Sequence, residues 1–151
     1  MTQSALRIPA APQRIYSINE GNISTSPQSV QRFVAECKTG AKPYSLRYTG
    51  SMVADVHRTL LYGGIFMYPH SPAAPKGKLR VLYECHPMAF LVEHAGGLAV
   101  TGLADTPGSI SRILDLVPSV IHDKSGVVLG CERDVSRVLE LIKAVDSGAA
   151  S

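Results

Sequence analysis

The sequence contains no tryptophan, and aromatic residues make up only 6% of its 151 positions. Its 15 lysines and arginines exceed its 12 acidic residues, but they are not gathered into clusters with aromatic residues between them. Nucleic-acid-binding domains usually combine a basic surface with such aromatics or with a recognisable motif. We therefore expect no nucleic-acid partner, and we interpret the basic residues as solvated charges together with a few anion-binding positions.

Long apolar runs are also missing. No run approaches the roughly 18 residues that a membrane-spanning helix needs, and the polar amino terminus lacks the apolar core of a signal peptide. We accordingly expect a soluble, cytoplasmic protein with no membrane partner. Cysteine is scarce, and Cys37, Cys85 and Cys131 are odd in number and far apart. This spacing indicates neither a disulfide framework nor a CxxC zinc site, so reduced thiols are expected.

What the sequence does contain is typical of one globular domain. Hydrophobic residues make up 45% and charged residues 18% of the chain, which is enough for a single sizeable core. Residues 1–13 have the composition of a connector, residues 14–146 form the expected domain, and residues 147–151 form a small polar tail. Predicted strands alternate with predicted helices, which favours an α/β fold with a layered mixed sheet and helices on its faces.

Residues 44–68 give the clearest local prediction, which is a strand, a turn, a helix and a second strand. Ser51 is suited to cap the free amide groups of the helix, and Gly63 is suited to end it. Asp55 would lie near the positive end of the helix dipole and Arg58 near the negative end. The spacing therefore predicts a helix that opens at Ser51.

The turn before this helix is a candidate anion site. Arg47 and Tyr48 precede Gly50 and Ser51 directly, so a guanidinium and the backbone donors of a helix amino terminus would face one side. Phosphate suits such a group of donors. An ordinary strand-to-helix connection would give the same pattern, and from these residues alone the two readings have equal weight.

The remaining elements follow from apolar periodicity and from Gly and Pro punctuation. A helix from Ser26, with Pro27 at its first helical position, carries an apolar stripe that includes Cys37. A helix from Pro87, stopped at Gly96, is expected to turn Met88, Ala89, Leu91, Val92 and Ala95 inward. The other predicted elements are strands at residues 14–18, 98–100 and 127–129, a polar turn at 19–22 and a final helix at about 133–145.

Residues 78–83 read as a strand that carries charge. In an extended chain Lys78 and Arg80 would point to the same side, and Glu84 would follow at the carboxyl end of the strand, where α/β proteins usually bind ligands. The two cations suit an anion site, but they would also suit an exposed strand edge protected against aggregation. Glu84 is similarly open to two interpretations, as a magnesium ligand or as a helix cap.

Four segments closely resemble the carboxyl-terminal half of class I fructose-1,6-bisphosphatases. They are SINEGN at residues 17–22, YSLRYTGSMVADVHRTLLYGGIFMYP at 44–69, GKLRVLYECHPMAFLVEHAGG at 77–97 and ILDLVPSVIH at 113–122. The resemblance extends from about residue 14 to residue 145. It implies a sugar-phosphatase-like α/β domain and a magnesium-dependent (Mg2+) hydrolase that removes the 1-phosphate of fructose 1,6-bisphosphate, in gluconeogenesis or the Calvin cycle. It also implies a homotetramer.

The resemblance implies roles for particular side chains. The 6-phosphate would be held by Asn19, Tyr48, Tyr68 and Lys78, the sugar would be lined by Ser51 and Met52, and Arg47 would reach into the site of a neighbouring subunit. Arg80 would face the 1-phosphate and the metal region, and Glu84 would be a magnesium ligand. The phosphate and metal interpretations of Lys78 and Glu84 are then preferred over edge charge and cap.

The sequence also departs from the family. The amino-terminal half, with its acidic DPLDGSSN-type motif, its catalytic glutamate and its AMP site, has no counterpart here. Residues 103–111 look like an insertion, and Asn22 stands where some members have tyrosine. Glu84 alone would not hold a multi-metal cluster, so we expect no catalytic residue in this chain and no activity without the missing half. The alternatives are a non-catalytic sugar-phosphate-binding or assembly module and a fragment of a sedoheptulose-1,7-bisphosphatase.

Overall fold

The computed structural model describes residues 5–102 and 110–148, so most of the expected insertion at 103–111 lies outside the described residues. Within these ranges the strands are β1 (Ile15–Ser17), β2 (Ser45–Leu46), β3 (Ile65–Tyr68), β4 (Leu79–Arg80), β5 (Gly97–Thr101), β6 (Lys124–Ser125) and β7 (Val127–Cys131). The α-helices are α1 (Gln28–Thr39), α2 (Met52–Tyr62), α3 (His86–His94) and α4 (Glu132–Gly148). None of these helices is long and apolar enough to cross a lipid bilayer.

Five strands form a mixed sheet in the order β2-β1-β3-β7-β5. Strand β1 is parallel to both of its neighbours, β2 and β3, whereas β7 is antiparallel to β3 and to β5. Strands β4 and β6 pair separately as a short antiparallel ribbon. The carboxyl ends of β1, β2 and β3 therefore lie along one edge of the sheet.

Helices cover both faces of this sheet, which confirms the predicted α/β class with its layered mixed sheet. Strand β3 shows the arrangement, since Ile65 and Met67 point into one core and Phe66 points into the other. On the first face the sheet packs against α1 and α4 through Val30, Phe33, Val34, Cys37, Val135, Val138, Leu141 and Ile142. On the second face α2 and α3 contribute Val56, Leu60, Ala89, Val92 and Ala95.

The strand–turn–helix–strand prediction for residues 44–68 is confirmed. The hydroxyl of Ser51 accepts a hydrogen bond from the amide of Ala54 at 3.5 Å and so caps α2. Gly63, which has a φ of 80°, ends the helix. At α1 the predicted start is shifted by one residue, because Pro27 is the cap and the helix begins at Gln28.

The predicted strand at residues 78–83 is largely wrong. Strand β4 has only two residues, and the chain then enters a π-helix over Val81–Cys85 that continues directly into α3. The partner strand β6 is equally short. The last hydrogen bond of the ribbon runs from the amide of Val81 to the carbonyl of Asp123, and the pairing ends there. Glu84 consequently lies on a helical turn rather than at a strand end.

One predicted inward-facing residue of α3 is exposed, whereas the cysteines are as predicted. Leu91 is 48% exposed and does not face the core, because α3 packs through Ala89 and Val92, which lie on another side of the helix. The three cysteines are buried and free, as expected. Burial raises the pKa of the Cys37 and Cys85 thiols to about 12, so both remain protonated and unreactive at neutral pH.

Candidate functional site

The candidate site lies where the parallel strands end. Asn19 follows β1, Tyr48 follows β2 and Tyr68 is the last residue of β3. Because the carboxyl ends of parallel strands meet at one sheet edge, these polar side chains come from three different strands to the same region. The β4–β6 ribbon adds Lys78 and Arg80 to this group.

A cleft of about 500 Å³ opens at this edge. Six of the nine residues with implied roles line it, namely Tyr48, Met52, Tyr68, Lys78, Arg80 and Glu84. A smaller pocket of about 50 Å³ adjoins the cleft, shares Tyr68 and Lys78 with it and is also lined by Asn19. Arg47 and Ser51 line neither space. Residues far apart in the sequence thus form one concave surface, and these six contribute two cations, two phenols and a carboxylate to it.

A buried ion pair fixes the turn between β2 and α2. The carboxylate of Asp55 is fully buried and pairs with Arg58 at 2.6 Å. It also accepts hydrogen bonds from the amide and the hydroxyl of Thr49, each at 3.2 Å. Arg58 in turn donates to the carbonyl of Arg47 at 2.8 Å. These bonds hold the turn on both sides of Tyr48, so the backbone that carries the Tyr48 side chain is held in place.

Arg47 and Ser51 have other contacts. The exposed side chain of Arg47 donates to the carbonyl of Leu46 at 2.9 Å and lies outside the cleft. The hydroxyl of Ser51 caps α2. Gly50, which lies between these two residues in the sequence, has a φ of 81° and lines the cleft. The turn therefore opens onto the cleft through its backbone at Gly50.

The two tyrosines are suited to donate hydrogen bonds to an anion. Burial raises the pKa of the Tyr48 phenol, and the nearby Tyr68 phenol and Asp55 carboxylate raise it further. The hydroxyl of Tyr48 is therefore protonated at neutral pH and can act as a donor. Because Lys78 supplies a full positive charge in the same cleft, the group combines neutral and charge-assisted donors, as phosphate sites do.

Gly77 determines how Lys78 enters the cleft. It has a φ of 77°, and a Cβ atom there would lie 2.1 Å from the amide nitrogen of Gly126. Only glycine allows the chain to pass so close to the backbone of the strand connection. The position of Lys78 thus depends on a backbone contact with a segment almost 50 residues away in the sequence.

Arg80 and Glu84, which both line the cleft, contact each other. Glu84 Oε2 accepts a hydrogen bond from the backbone amide of Arg80 at 2.8 Å and lies 3.3 Å from its guanidinium. Because Arg80 precedes the π-helix, the first bond is of the capping type, while the carboxylate also lines the cleft. The geometry is therefore compatible with both interpretations of Glu84.

Lys124 was not predicted to belong to the site. Its strand, β6, was not predicted, yet Lys124 pairs directly with Arg80 and lines the same cleft. Directly opposed residues of an antiparallel pair project to the same face. The signal that identifies Lys124 is the register of the ribbon, which depends on residues distant in the sequence.

Glu84 is the carboxylate that lines the cleft. Among the described residues, 5–102 and 110–148, no group of three or more histidine, cysteine, aspartate or glutamate side chains could hold a metal ion. Glu84 is a suitable oxygen ligand for a hard divalent cation, which usually has six or more ligands. The described residues thus do not form a divalent-metal site by themselves.

Comparison with known proteins identifies relatives over almost the whole chain. Residues 8–143 match the family model of the fructose-1,6-bisphosphatase carboxyl-terminal domain. The fructose-1,6-bisphosphatase of Kluyveromyces lactis is 52% identical over 147 residues, which cover 94% of this chain and 39% of that protein. The cytosolic enzyme of Beta vulgaris is 51% identical over 152 residues, which cover 99% of this chain and 42% of that protein.

A solved structure of a fructose-1,6-bisphosphatase is also similar to this chain. The chain is similar to Leishmania major fructose-1,6-bisphosphatase in its holo form, with a TM-score of 0.81 and 40% sequence identity. The match covers 90% of this chain and 40% of that one. The chain therefore spans about two fifths of the length of the relatives it matches.

Proposed function

Since the chain belongs to the fructose-1,6-bisphosphatase family and corresponds to its carboxyl-terminal domain, we propose that it is the sugar-phosphate-binding half of a phosphatase. The complete enzyme would hydrolyse fructose 1,6-bisphosphate to fructose 6-phosphate and phosphate. The observation that carries this proposal is the cleft in which Tyr48, Tyr68 and Lys78 converge from separate strands.

The charges of the cleft support a ligand with two anionic groups. Lys78 adjoins the small pocket that contains Asn19, and with the two phenols it would bind the 6-phosphate. Arg80 and Glu84 lie together at the π-helix, where Arg80 would face the 1-phosphate. Met52 lines the cleft beside these polar groups and would contact the sugar, as would the residues at the start of α2, including Ser51.

Catalysis would require residues from outside this domain. Fructose-1,6-bisphosphatases are phosphatases that usually depend on a metal, and we propose that the ion is magnesium. Glu84 would add one carboxylate to a site completed by residues that this domain does not contain, because the described residues provide no complete set of ligands. The isolated chain would then bind sugar phosphates without releasing phosphate.

The proposal extends to assembly and location. The guanidinium of Arg47 is exposed, bonds to the carbonyl of Leu46 and does not line the cleft, which supports the interpretation that it reaches a site on a neighbouring subunit. The complete protein would then be a homo-oligomer, as the family resemblance implies, with four subunits. Relatives from Beta vulgaris and Solanum tuberosum are named cytosolic, and we propose a cytoplasmic location here as well.

Calorimetric titration of the chain with fructose 6-phosphate tests this function. We expect saturable binding at one site per chain and no phosphate release when fructose 1,6-bisphosphate and magnesium are supplied. Lys78→Ala should weaken the binding about tenfold or more, because it removes a charge-assisted hydrogen bond. Absence of binding by a folded sample would contradict the proposal, and so would phosphate release by the chain alone.

Lys76→Ala is the matched control. Lys76 lies two residues before Lys78 and is exposed, but it lines a different groove, beside Asp123. Its replacement removes the same charge from the same segment. We expect a change of less than twofold in affinity, since exposed charges at this distance are screened by salt. Equal losses in both variants would indicate non-specific attraction of the anion.

A further inference from the structure

Arg80 has a second contact besides Glu84, and no role has been assigned to the residues that make it. Its Nε donates a hydrogen bond to the hydroxyl of Tyr83 at 3.0 Å, and its guanidinium lies 5.3 Å from the centre of the Tyr83 ring. The same hydroxyl lies 2.8 Å from Nδ1 of His122. The rings of Tyr83 and His122 meet edge to face, with centroids 6.0 Å apart.

Two elements bring these side chains together. The π-helix places Tyr83 three residues and Glu84 four residues after Arg80, so that both can contact the guanidinium. His122 lies two residues before Lys124, which pairs with Arg80 across the ribbon. If this pairing continued beyond the ribbon, the residue opposite His122 would be the one just before Tyr83. Tyr83 and His122 are therefore neighbours across the two segments.

The hydrogen-bond directions are consistent with a chain of donors. Because the Tyr83 oxygen accepts from Arg80, the proton of its hydroxyl is available for His122 Nδ1. His122 then fixes the direction of the hydroxyl, and the hydroxyl fixes Arg80 Nε. Among the described contacts, Nη2 of Arg80 has no bond to Glu84 or Tyr83, and the Arg80 residue lines the cleft.

The ion pair with Glu84 would not fix Arg80 on its own. The two residues are four positions apart in the sequence, and Nη1 of Arg80 lies 3.3 Å from Oε2 of Glu84. The side chains are 42% and 27% exposed. Pairs of this kind are weak and allow many orientations of the guanidinium. The hydrogen bond donated by Nε holds a different edge of the guanidinium from the one that faces Glu84. Together with the ring of Tyr83 against the guanidinium, this bond defines the plane of the guanidinium.

We propose that Tyr83 and His122 are positioning residues that orient Arg80 toward a second phosphate in the cleft, distinct from the one that Lys78 would bind. Neither would contact the ligand. The identity of that phosphate, the 1-phosphate of the sugar, rests on the proposed function. The arrangement of Arg80, Tyr83 and His122 does not rest on the proposed function, so the arrangement and the function are tested separately.

The first test observes Arg80 without any ligand. In a ¹⁵N NMR spectrum of the chain, we expect a protected Nε–H signal that is absent from Arg80→Lys and lost or shifted in Tyr83→Phe. His122→Leu should have the same effect as Tyr83→Phe, and His122→Gln, which retains an acceptor, should restore the signal in part. An Arg80 signal that does not change in Tyr83→Phe would overturn the inference.

The second test compares two ligands in the absence of divalent metal. Fructose 1,6-bisphosphate should bind more tightly than fructose 6-phosphate, and Tyr83→Phe should weaken the bisphosphate about fivefold while leaving fructose 6-phosphate unchanged. In an Arg80→Lys background, Tyr83→Phe should have no further effect. Tyr62→Phe, at a tyrosine of matched exposure on α2, serves as the control.

The outcomes separate the two claims. A wild-type chain that binds neither sugar phosphate would contradict the proposed function, while the NMR result would still decide whether Tyr83 and His122 orient Arg80. A wild-type chain that prefers the bisphosphate, with the same preference in folded Tyr83→Phe, would overturn the inference alone. A loss of affinity for both ligands in Tyr83→Phe would also overturn it, since that pattern indicates a general structural effect.

Discussion

The buried pair of Asp55 and Arg58 connects the stability of the domain to the geometry of its cleft. Removing one member of a buried ion pair leaves the other charge without compensation, which typically costs about 3 to 5 kcal/mol. Asp55 is fully buried, whereas Arg58 retains 17% of its side-chain exposure. The cost is therefore expected at the lower end of that range.

We expect Asp55→Ala to lower the free energy of unfolding by about 3 kcal/mol in chemical denaturation. Asp115→Ala is the control, since Asp115 pairs with Arg112 at a similar distance but is 63% exposed. Its removal should change stability by less than about 1 kcal/mol. Similar losses in the two variants would show that burial of the Asp55 pair contributes nothing beyond a surface contact.

Glu20 gives a prediction about pH. It is partly buried between the hydroxyl of Tyr16 and the ammonium of Lys38, both of which donate to its carboxylate. Burial opposes ionisation, but these hydrogen bonds outweigh it and lower the pKa of Glu20. A carboxylate whose pKa is lower in the folded than in the unfolded chain stabilises the fold above the unfolded pKa, and this contribution is lost as the pH falls through the folded pKa.

Glu20→Gln should therefore reduce stability at neutral pH and make it less dependent on pH in acid. Because an unperturbed glutamate titrates near pH 4.3, the difference from wild type should shrink as the pH falls below about 4.3. Urea denaturation at several pH values measures this. Parallel curves for wild type and variant down to about pH 3, below the ordinary range of the glutamate pKa, would show that Glu20 has no such role.

Among elements, the β4–β6 ribbon depends on one glycine. Gly77 and Gly50 both have positive φ, near 77° and 81°, but their surroundings differ. A Cβ at Gly77 would lie 2.1 Å from the Gly126 amide nitrogen and 2.2 Å from the Ser125 carbonyl carbon, whereas nothing lies within 4 Å of one at Gly50. A side chain at Gly77 would therefore cause both backbone strain and a collision with the backbone of the neighbouring segment.

Gly50→Ala should lower the free energy of unfolding by about 1 to 2 kcal/mol, the usual cost of left-handed backbone for a residue with Cβ. Gly77→Ala should cost more and should separate the ribbon, which amide hydrogen exchange at Leu79 and Val81 would detect. If the two variants were equally stable and kept the same exchange protection, the close approach of Gly77 to β6 would not hold the ribbon.

Local signals allowed the elements around α2 to be predicted, since the cap at Ser51 and the stop at Gly63 depend only on neighbouring residues. The π-helix at Val81–Cys85 could not be predicted in this way. Its residues, VLYEC, carry no local signal for a π-helix, and the short partner β6 is what ends the pairing. For the same reason Lys124 and His122 were missed, because both enter the site through long-range pairing with residues near Arg80.

At the scale of the whole molecule, one exposed groove is lined mainly by apolar side chains. The outer side of the π-helix and α3 exposes Leu82, Phe90 and Leu91 at 44%, 51% and 48%, and these side chains border one groove. Contiguous apolar surface of this kind favours association. We therefore expect the isolated chain to self-associate as its concentration rises.

Light scattering after size-exclusion chromatography checks this expectation. The double variant Phe90→Gln/Leu91→Gln should shift the chain toward the monomer, because it removes the two most exposed apolar side chains of this groove. Val53→Gln, at a residue that is 62% exposed on α2, should have little effect. A monodisperse wild-type monomer at all concentrations would contradict the expectation.

The central claim is that a sugar phosphate binds where the parallel strands end, and a crystal structure of the chain with fructose 6-phosphate tests it most directly. We expect the phosphate to be within hydrogen-bond distance of Tyr48, Tyr68 and Lys78, beside the pocket of Asn19. A phosphate bound elsewhere, with this cleft empty at saturating ligand, would contradict the claim.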